Sequence, residues 1–343
     1  MTTCDLGTGT RNPHRVGLSL SRPYRHPITR SPDHPSSLLE EPQNCTTVEF
    51  WGSSKNANHA AEPPHHGLSW RSVGTIAYVQ PMGALDGKVA VITGAGSGIG
   101  KATAERLAAE GATIGAVDFD DANGQAVAEA VGGCFVHADA GDSTEVDAAF
   151  TACERELGGV DIAYLNAGIA IGVADMLELT DAEYLRIMRV NVDGVVWGTR
   201  AAIRAMERRG GGAIVATSSL AGLMPVPFDP VYGLSKHAVV GFIRSIAPPL
   251  RAKNITANTV NPGMTDTNIL NEETKAMFAA NDFPLMPASQ IADAVLTIVT
   301  SGRTGECWVC QPGREAEPYQ FHGVPGPRTE GVVGRRPPDL VVP

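Results

Sequence analysis

The sequence predicts an α/β fold in which helices cover both faces of a doubly wound parallel sheet. Between residues 85 and 310, short apolar runs alternate with segments of helical periodicity. The apolar runs lack polar alternation, which indicates strands that are buried on both faces and therefore a parallel sheet. The helical segments are about ten or more residues long, which suits right-handed crossovers between parallel strands. We expect a single domain with irregular N- and C-terminal extensions.

Strands and helices follow one another regularly along this stretch. The predicted strands are 88–93, 113–118, 134–137, 160–165, 213–218, 255–260 and 306–310. The predicted helices are 99–110, 121–131, 143–157, 181–208 and 231–246. Pro248 and Pro249 remove backbone donors, so we expect a kink or an early end in the last of these helices. Ligands of such a sheet bind at the carboxyl ends of the strands, here after the first, fourth, fifth and sixth strands.

Composition excludes several classes of function. The chain has 343 residues, 43% of them hydrophobic, and a formal charge of −10. A nucleic-acid binder needs clustered cationic side chains, which this balance does not favour. The chain contains neither an apolar stretch of about 18 residues nor the apolar core of a secretory signal near its start. Six scattered cysteines fit a reducing compartment. We therefore expect a soluble, cytoplasmic protein without a nucleic-acid or membrane partner.

The two ends of the chain differ from its middle. Residues 1–81 hold six of the nine His and nine of the 24 Pro, and they show no sustained periodicity. Such a segment is typical of a disordered extension, or it lies upstream of a true translation start at Met82. A targeting peptide fits less well because the segment carries acidic residues. The tail 313–343 is Pro-rich and predicted to be irregular. The domain itself is predicted to span 82–312.

A glycine-rich turn follows the first predicted strand and leads directly into a helix. Glycines allow a sharp turn and close approach to a pyrophosphate, and the helix N-terminus offers free N–H groups. The pattern is TGxxxGxG rather than the common G-x-G-x-x-G, but strand, turn and helix stand in the required order. It predicts a dinucleotide site made by Gly94, Ser97, Gly98, Ile99 and Gly100.

Two acidic residues after the second and third strands are candidates for binding the adenosine half of that nucleotide. Asp118 ends the second strand, 18 residues beyond Gly100. A carboxylate there accepts ribose hydroxyls and repels a 2′-phosphate, which favours NAD over NADP. A turn residue is the alternative interpretation, because Asp120 and Asp121 follow closely. Asp139 could contact the adenine or equally cap the helix that starts near Ser143.

A Tyr and a Lys on one helix supply the candidate proton-transfer chemistry. Tyr232 and Lys236 are four residues apart, so their side chains share a helix face. A neighbouring ammonium should lower the pKa of the phenol and make it a workable acid or base. The Ser219 hydroxyl, after the fifth strand, could polarise a substrate carbonyl.

In combination these residues resemble the short-chain dehydrogenase/reductase family, over about residues 84–312. The motifs that carry the resemblance are the glycine loop, Asn166-Ala167-Gly168, Asn191, Ser219, the Tyr232/Lys236 pair, and Pro262-Gly263 with Thr267. The spacing of 13 residues from Ser219 to Tyr232 is the family's usual one and selects Ser219 over Ser218. The resemblance implies a Rossmann fold and an assembly into a homo-oligomer, a dimer or a tetramer.

The resemblance also implies a role for each matching residue. Tyr232 would exchange a proton with the substrate oxygen while hydride moves to or from the nicotinamide. Lys236 would hold the nicotinamide ribose, and Asn191 would position a water that relays protons from Lys236. The remaining cofactor-binding residues would be Asn166, Ala167 and Gly168 on the adenosine side, and Pro262, Gly263 and Thr267 on the nicotinamide side.

Apolar residues near the expected site suggest a hydrophobic substrate, although such residues are more often core. They are Leu220, Leu223, Val226, Phe228, Met277, Phe278, Phe283, Leu285 and Met286. Cys307 and Cys310 form a lone C-x-x-C on a predicted strand, where positions three apart face opposite sides. We therefore expect no metal site.

These observations predict an NAD-dependent oxidoreductase that acts on a secondary alcohol or ketone, with Asn191, Ser219, Tyr232 and Lys236 as catalytic residues. The sequence leaves two alternatives. One is a non-catalytic dinucleotide sensor on the same fold, since a fold alone does not assign a function. The other is an NADP-linked carbonyl reductase, for which Asp118 is the deciding residue.

Overall fold

The computed structural model describes residues 83–323 together with residues 325 and 328. The predictions for residues 1–81 and for the rest of the C-terminal tail lie outside these residues. Within the described part, eight strands form one sheet in the order β3-β2-β1-β4-β5-β6-β7-β8. The strands are β1 (Val89–Thr93), β2 (Thr113–Asp118), β3 (Cys134–His137), β4 (Ile162–Leu165), β5 (Gly212–Thr217), β6 (Ile255–Pro262), β7 (Cys307–Cys310) and β8 (Glu317–Pro318).

Neighbouring strands are parallel from β3 to β7, and β8 alone runs antiparallel to β7. The strand order reverses between β1 and β4, so the predicted doubly wound parallel sheet is confirmed. Between β8 and the last residues described, the tail has no further regular element, in keeping with its Pro-rich composition.

Helices cover the two faces of the sheet. They are α1 (Gly98–Ala109), α2 (Asp121–Val131), α3 (Ser143–Leu157), α4 (Asp181–Met188), α5 (Gly194–Arg209), α6 (Pro230–Leu250), α7 (Glu272–Ala280) and α8 (Ala288–Thr300). One core joins the sheet to α3, α5 and α6, and it contains Phe150 and Ile243. The other core joins the opposite face to α1, α2 and α8, and it contains Leu107 and Ile291. Every residue of β1 is buried because its side chains enter both cores.

Local signals define several of these elements to the residue. Asp120 begins α2 by accepting the N–H of Asn123, and Asp142 begins α3 by accepting the N–H groups of Thr144 and Glu145. Gly132 and Gly158 end the same helices with positive φ angles of 65° and 85°, a conformation that favours glycine. The bounds predicted for these two helices therefore agree with the structure.

Two of the predicted helices differ from the structure, and two observed helices, α7 and α8, were not predicted. The expected helix 181–208 is interrupted by a π-helical turn, Arg189–Asp193, which separates α4 from α5. The expectation that the helix carrying Lys236 ends early at its prolines is wrong, since α6 contains both Pro248 and Pro249 and reaches Leu250. Both prolines lie in its last turn, where few backbone bonds are lost. Ala247 and Leu250 on either side of them are buried in the core, and this packing keeps the turn helical.

Candidate active site

The glycine loop lies between β1 and α1 and has a backbone that side chains would not permit. Gly94 and Gly98 have φ angles of 66° and 51°, in the left-handed region. A Cβ atom on Gly100 would lie 1.9 Å from the carbonyl oxygen of Gly94. Ser97 is the N-cap of α1, yet its side chain makes no capping hydrogen bond and the first turn of the helix has no acidic residue. The first N–H groups of α1 are thus available to an anionic group.

Asp118 is held at the rim of this loop by backbone donors. The N–H of Gly96 donates to its Oδ2 atom (2.7 Å), and the N–H of Asp120 donates to its Oδ1 atom (2.8 Å). The residue therefore does stabilise the turn after β2, as the alternative interpretation held. Each carboxylate oxygen keeps a second lone pair for a further donor. Within the described residues, no Lys or Arg side chain forms an ion pair with Asp118.

Asp139 does not cap α3, so that alternative is wrong. The cap is Asp142, three residues later. Asp139 instead accepts the N–H of Gly141 (2.8 Å) and pairs with Arg189 (3.0 Å). A possible contact between Asp139 and an adenine remains a prediction.

Asn166 joins the carboxyl ends of three strands. Its N–H donates to Thr93 Oγ1 (3.0 Å), its Nδ2 atom donates to the carbonyl of Gly94 (3.2 Å), and its Oδ1 atom accepts from Thr217 Oγ1 (3.1 Å). Its amide is therefore used to fix the glycine loop against β4 and β5. Ala167 follows it closely, since a Cβ atom on Gly94 would lie 2.9 Å from the Ala167 Cα atom.

Lys236 lies at the centre of the site with its amine buried. Only 3% of the residue is exposed, and its Nζ atom donates to the carbonyl oxygen of Thr217 (3.0 Å). Burial lowers the pKa of Lys236 to about 8, because a charged amine loses solvation there. The Nζ atom also faces Gly168, where an added Cβ atom would lie 3.2 Å away.

Tyr232 lies one helical turn before Lys236, and its ring centroid is 5.5 Å from the Nζ atom. Burial raises the pKa of Tyr232 above its usual value, while a hydrogen bond from the Ser219 hydroxyl works in the opposite direction. The pKa of Tyr232 is therefore raised overall rather than lowered as expected, because the loss of phenolate solvation outweighs the hydrogen bond to Ser219. Ser219 and Tyr232, two of the predicted residues, are thus close enough to affect each other's protonation.

Asn191 is buried within the π-helical turn and holds the loop after β4. Its Oδ1 atom accepts the N–H of Ile169 (2.8 Å), and its Nδ2 atom donates to the carbonyl of Ile169 (2.9 Å) and to Ser235 Oγ (3.0 Å). Single π-helical turns inside helices occur frequently at functional sites. The side chain of Asn191 thus connects this loop to α6.

The segment after β6 closes the site from the other side. The Ser219 hydroxyl donates to the carbonyl of Pro262 (3.4 Å), and the N–H of Gly263 donates to the carbonyl of Cys310 (3.0 Å). Thr267 lies against the glycine loop, since a Cβ atom on Gly98 would be 3.2 Å from its methyl group. The side chain of Ile99 is partly buried and packs against the core beneath α1.

Some of the apolar side chains suggested as substrate contacts are exposed, one before α6, one in α7 and one in the loop after α7. Phe228, Met277 and Phe283 are each about half exposed or more. Met286 is an exception, because its backbone pairs with Met264 and Asp266 and its side chain is completely buried. Met286 is therefore core, whereas the others are free to contact a ligand.

Cys307 and Cys310 are both buried in β7, and burial raises the pKa of each thiol, that of Cys310 to about 12. In the part of the chain that the structure describes, no three His, Cys, Asp or Glu side chains cluster as metal ligands would. None of the helices described there has the length and apolar character needed to cross a membrane.

Asp229 is a site residue that the sequence interpretation overlooked. It precedes Pro230, the first residue of α6, and accepts the N–H of Tyr232 (3.0 Å) as the helix N-cap. An acidic residue followed by Pro at the start of a helical pattern is a readable N-cap signal. Thr217 and Ser235, which contact Lys236 and Asn191, had no comparable signal because their role depends on contacts that are distant in sequence.

Comparison with known proteins finds short-chain dehydrogenases by sequence and by structure. The family model for short chain dehydrogenase matches residues 88–277. A short-chain dehydrogenase reductase of Arabidopsis thaliana is 37% identical over 184 residues, covering 53% of this chain and 68% of that protein. A 3beta-hydroxysteroid dehydrogenase of Mediterraneibacter gnavus is 37% identical over 191 residues, covering 54% and 69%. The crystal structure of a short-chain type dehydrogenase/reductase from Mycobacterium marinum has a TM-score of 0.62 and 32% identity, covering 67% of this chain and 96% of that one.

Proposed function

Because the chain belongs to the short chain dehydrogenase family, whose members are NAD(P)-dependent oxidoreductases of hydroxyl and keto groups, we propose that it interconverts a hydrophobic secondary alcohol and its ketone with NAD. The observation that carries this proposal is the Tyr232 ring, whose centroid lies 5.5 Å from the buried amine of Lys236, with the Ser219 hydroxyl at the end of β5 beside them. These three groups lie at the carboxyl ends of the strands, beside the glycine loop. A proton donor, a hydroxyl that binds a carbonyl oxygen and a buried base are thus close together.

The residues present fit a dinucleotide. The glycine loop leaves no room for side chains, and α1 begins with free N–H groups, which suits a pyrophosphate. Asp118 would accept the hydroxyls of the adenosine ribose, and Lys236, whose amine uses one of its three donors for the Thr217 carbonyl, would hold the nicotinamide ribose. When bound, the nicotinamide accepts or returns the hydride of the carbon that carries the substrate oxygen.

Tyr232 exchanges a proton with the substrate oxygen. Its raised pKa keeps the phenol protonated near neutral pH, which suits donation to a carbonyl oxygen. Oxidation of an alcohol needs the phenolate instead, so its rate should rise as pH increases. The Ser219 hydroxyl donates a hydrogen bond to the same oxygen and thereby polarises the carbonyl. Lys236, with a pKa of about 8, can take up and release protons in the neutral range.

Asp118 supports NAD rather than NADP. The 2′-phosphate of NADP would lie beside the Asp118 carboxylate and bring two negative charges together. Among the described residues no Lys or Arg pairs with Asp118 to offset this repulsion, which disfavours binding of NADP. Replacing Asp118 by Ala should therefore shift the preference towards NADP, measured as the ratio of kcat/KM for the two nucleotides. An unchanged ratio would show that Asp118 does not decide the cofactor.

The exposed apolar side chains of Phe228, Met277 and Phe283 support a hydrophobic substrate. The four cysteines of the described part are all free thiols, which favours the reducing cytoplasm. A homo-oligomer remains our expectation from the family resemblance.

The test is NADH formation from NAD by the purified protein with a panel of secondary alcohols, from apolar to sugar-like, with NADP in parallel. We expect turnover of an apolar alcohol, and a loss of about 10²–10⁴-fold in the Tyr232→Phe variant, as is usual for removal of a general acid or base. A variant that binds NADH as tightly as the wild type shows that the loss is catalytic. Nucleotide binding with no turnover across the panel would favour the dinucleotide sensor instead.

A further inference from the structure

Asp229 carries more hydrogen bonds than an N-cap needs. Only 2% of the residue is exposed, and its Oδ1 atom accepts the N–H of Tyr232 (3.0 Å). Its Oδ2 atom accepts two further N–H groups, from Ile171 (3.2 Å) and Gly172 (2.7 Å), which belong to the loop after β4. One carboxylate therefore binds two separate parts of the chain. Ile171 and Gly172 precede Asp229 by 58 and 57 residues, and Tyr232 follows it by three.

The loop after β4 is attached to the site at its other end as well. Asn191 holds the backbone of Ile169 through both of its amide atoms, and Gly168 faces Lys236 Nζ. Between these attachments and Asp229, the loop runs beside the first turns of α6, where Tyr232 lies. Gly172 has a φ of 69°, so the chain turns sharply at the point where Asp229 binds it.

No charged side chain of the described residues forms an ion pair with Asp229. Its charge is met by three backbone N–H groups and by the N-terminal end of α6, which favours an anion. Charge-assisted hydrogen bonds of this kind are strong and directional. Burial and, to a smaller extent, the nearby carboxylate charge of Asp229 raise the pKa of Tyr232.

We propose that Asp229 is a positioning residue. Its carboxylate clamps the loop 168–172 to the turn of α6 that carries Tyr232, and this fixes the position of the loop relative to the Tyr232 phenol. This inference rests on the proposed function, because it concerns the place of Tyr232 in that reaction. An N-cap alone would require only Oδ1. The two bonds to Oδ2 are what distinguish a clamp from a cap.

The two functions of the carboxylate can be separated by substitution. Asp229→Asn keeps an oxygen for the N–H of Tyr232 but turns an NH₂ group towards the N–H groups of Ile171 and Gly172, where donor faces donor. Asp229→Ser also keeps a cap and has no second acceptor. Asp161→Asn is the matched control: Asp161 is a buried carboxylate that accepts the N–H of Val89 (3.0 Å) and pairs with Arg209 (2.8 Å) at the opposite ends of the strands.

The experiment measures amide hydrogen exchange of the loop, thermal unfolding, and kcat and KM with a substrate of the wild type. In both Asp229 variants we expect exchange at Ile171 and Gly172 to be faster by about tenfold or more, since strong hydrogen bonds are lost. We expect kcat/KM to fall by about 10–100-fold, mainly through kcat, as a displacement near 1 Å can do. Asp161→Asn should unfold at a lower temperature with an unchanged loop and with kcat/KM within about twofold of the wild type.

Two results would overturn the proposal. Loop exchange that is unchanged in both Asp229 variants would show that no clamp exists. Faster exchange with an unaltered kcat/KM would show that the clamp does not position Tyr232. A wild type that binds NAD but turns over no substrate would instead contradict the proposed function. In that case the exchange data alone decide the clamp, which stands if the wild-type loop is protected and the Asp229→Asn loop is not.

Discussion

Replacing Lys236 by Met should remove a pH dependence of stability that the buried amine produces. In the folded chain the pKa of Lys236 is about 8, whereas its ordinary value is 10.5. The unfolded chain therefore binds a proton at this position more tightly than the folded chain does. Stability rises with pH wherever the unfolded state holds more protons. The contribution of Lys236 is thus lowest below pH 8 and increases as pH rises from there towards 10.5.

The size of this effect follows from the two pKa values. Their full separation corresponds to about 3 kcal/mol of unfolding free energy at high pH. Between about pH 7 and pH 9 the contribution of Lys236 to the free energy of unfolding should increase by about 1.4 kcal/mol. Most of this increase comes from the single pH unit above the folded pKa, over which the ratio of deprotonated to protonated amine in the folded chain rises tenfold. The buried thiols act in the opposite direction, since the unfolded chain loses their protons more readily in this range. Their contribution is the same in the wild type and in Lys236→Met, so it cancels in the difference between the two proteins.

Urea unfolding at about pH 7, 8 and 9 measures this difference directly, with the free energy taken from linear extrapolation. We expect the stability of the wild type relative to Lys236→Met to increase by about 1.4 kcal/mol over this range. Lys253→Met is the control, because Lys253 lies in the exposed turn after α6 and pairs with Glu207 at the surface. A difference that stays flat from pH 7 to pH 9, or an equal slope in Lys253→Met, would refute the reasoning.

Four further results are expected. Gly100→Ala should displace the glycine loop and weaken NADH binding, because its Cβ atom would meet the carbonyl of Gly94 at 1.9 Å; fluorescence titration measures the binding. The same clash should lower the free energy of unfolding by about 1–3 kcal/mol, as is usual for an added methyl group without space. Gly241→Ala, on an exposed part of α6 with nothing within 4 Å of the new Cβ, should bind NADH normally and stabilise the protein by about 0.5–1 kcal/mol. Removal of residues 1–81 should leave the unfolding temperature and kcat/KM unchanged, and a decrease in either would make that segment part of the domain. Metal analysis of the purified protein should find no stoichiometric zinc, since zinc in equimolar amount would contradict our interpretation of Cys307 and Cys310.

Much of the fold could be predicted because its signals are local. Apolar runs without polar alternation identified the buried strands, and the bounds of β2 and β3 agree to the residue with those predicted. Asp and Gly at the ends of α2 and α3 placed those helices equally well. The spacing of Tyr232 and Lys236 on one helix, and the glycine turn between a strand and a helix, also depend only on neighbours in sequence.

Other features depend on contacts between distant residues. The π-helical turn at Asn191 and the passage of α6 through its prolines are set by packing and hydrogen bonds across the domain. Met286 looks like a candidate substrate contact in the sequence, yet pairing with Met264 and Asp266 draws it into the core. Asp229 has a recognisable N-cap position, but its bonds to Ile171 and Gly172 cannot be inferred from the chain around it.

The sequence by itself determined the doubly wound sheet and most of the residues that meet at its carboxyl edge, because periodicity, turn chemistry and helix spacing are properties of short segments. Only the tertiary structure decided the protonation chemistry of those residues. Burial lowers the pKa of Lys236 to about 8 and raises that of Tyr232, the reverse of what a Tyr and a Lys side by side in water would show. The physical reason is desolvation. The solvation that a group loses depends on every element packed around it, and its neighbours in sequence do not determine that packing.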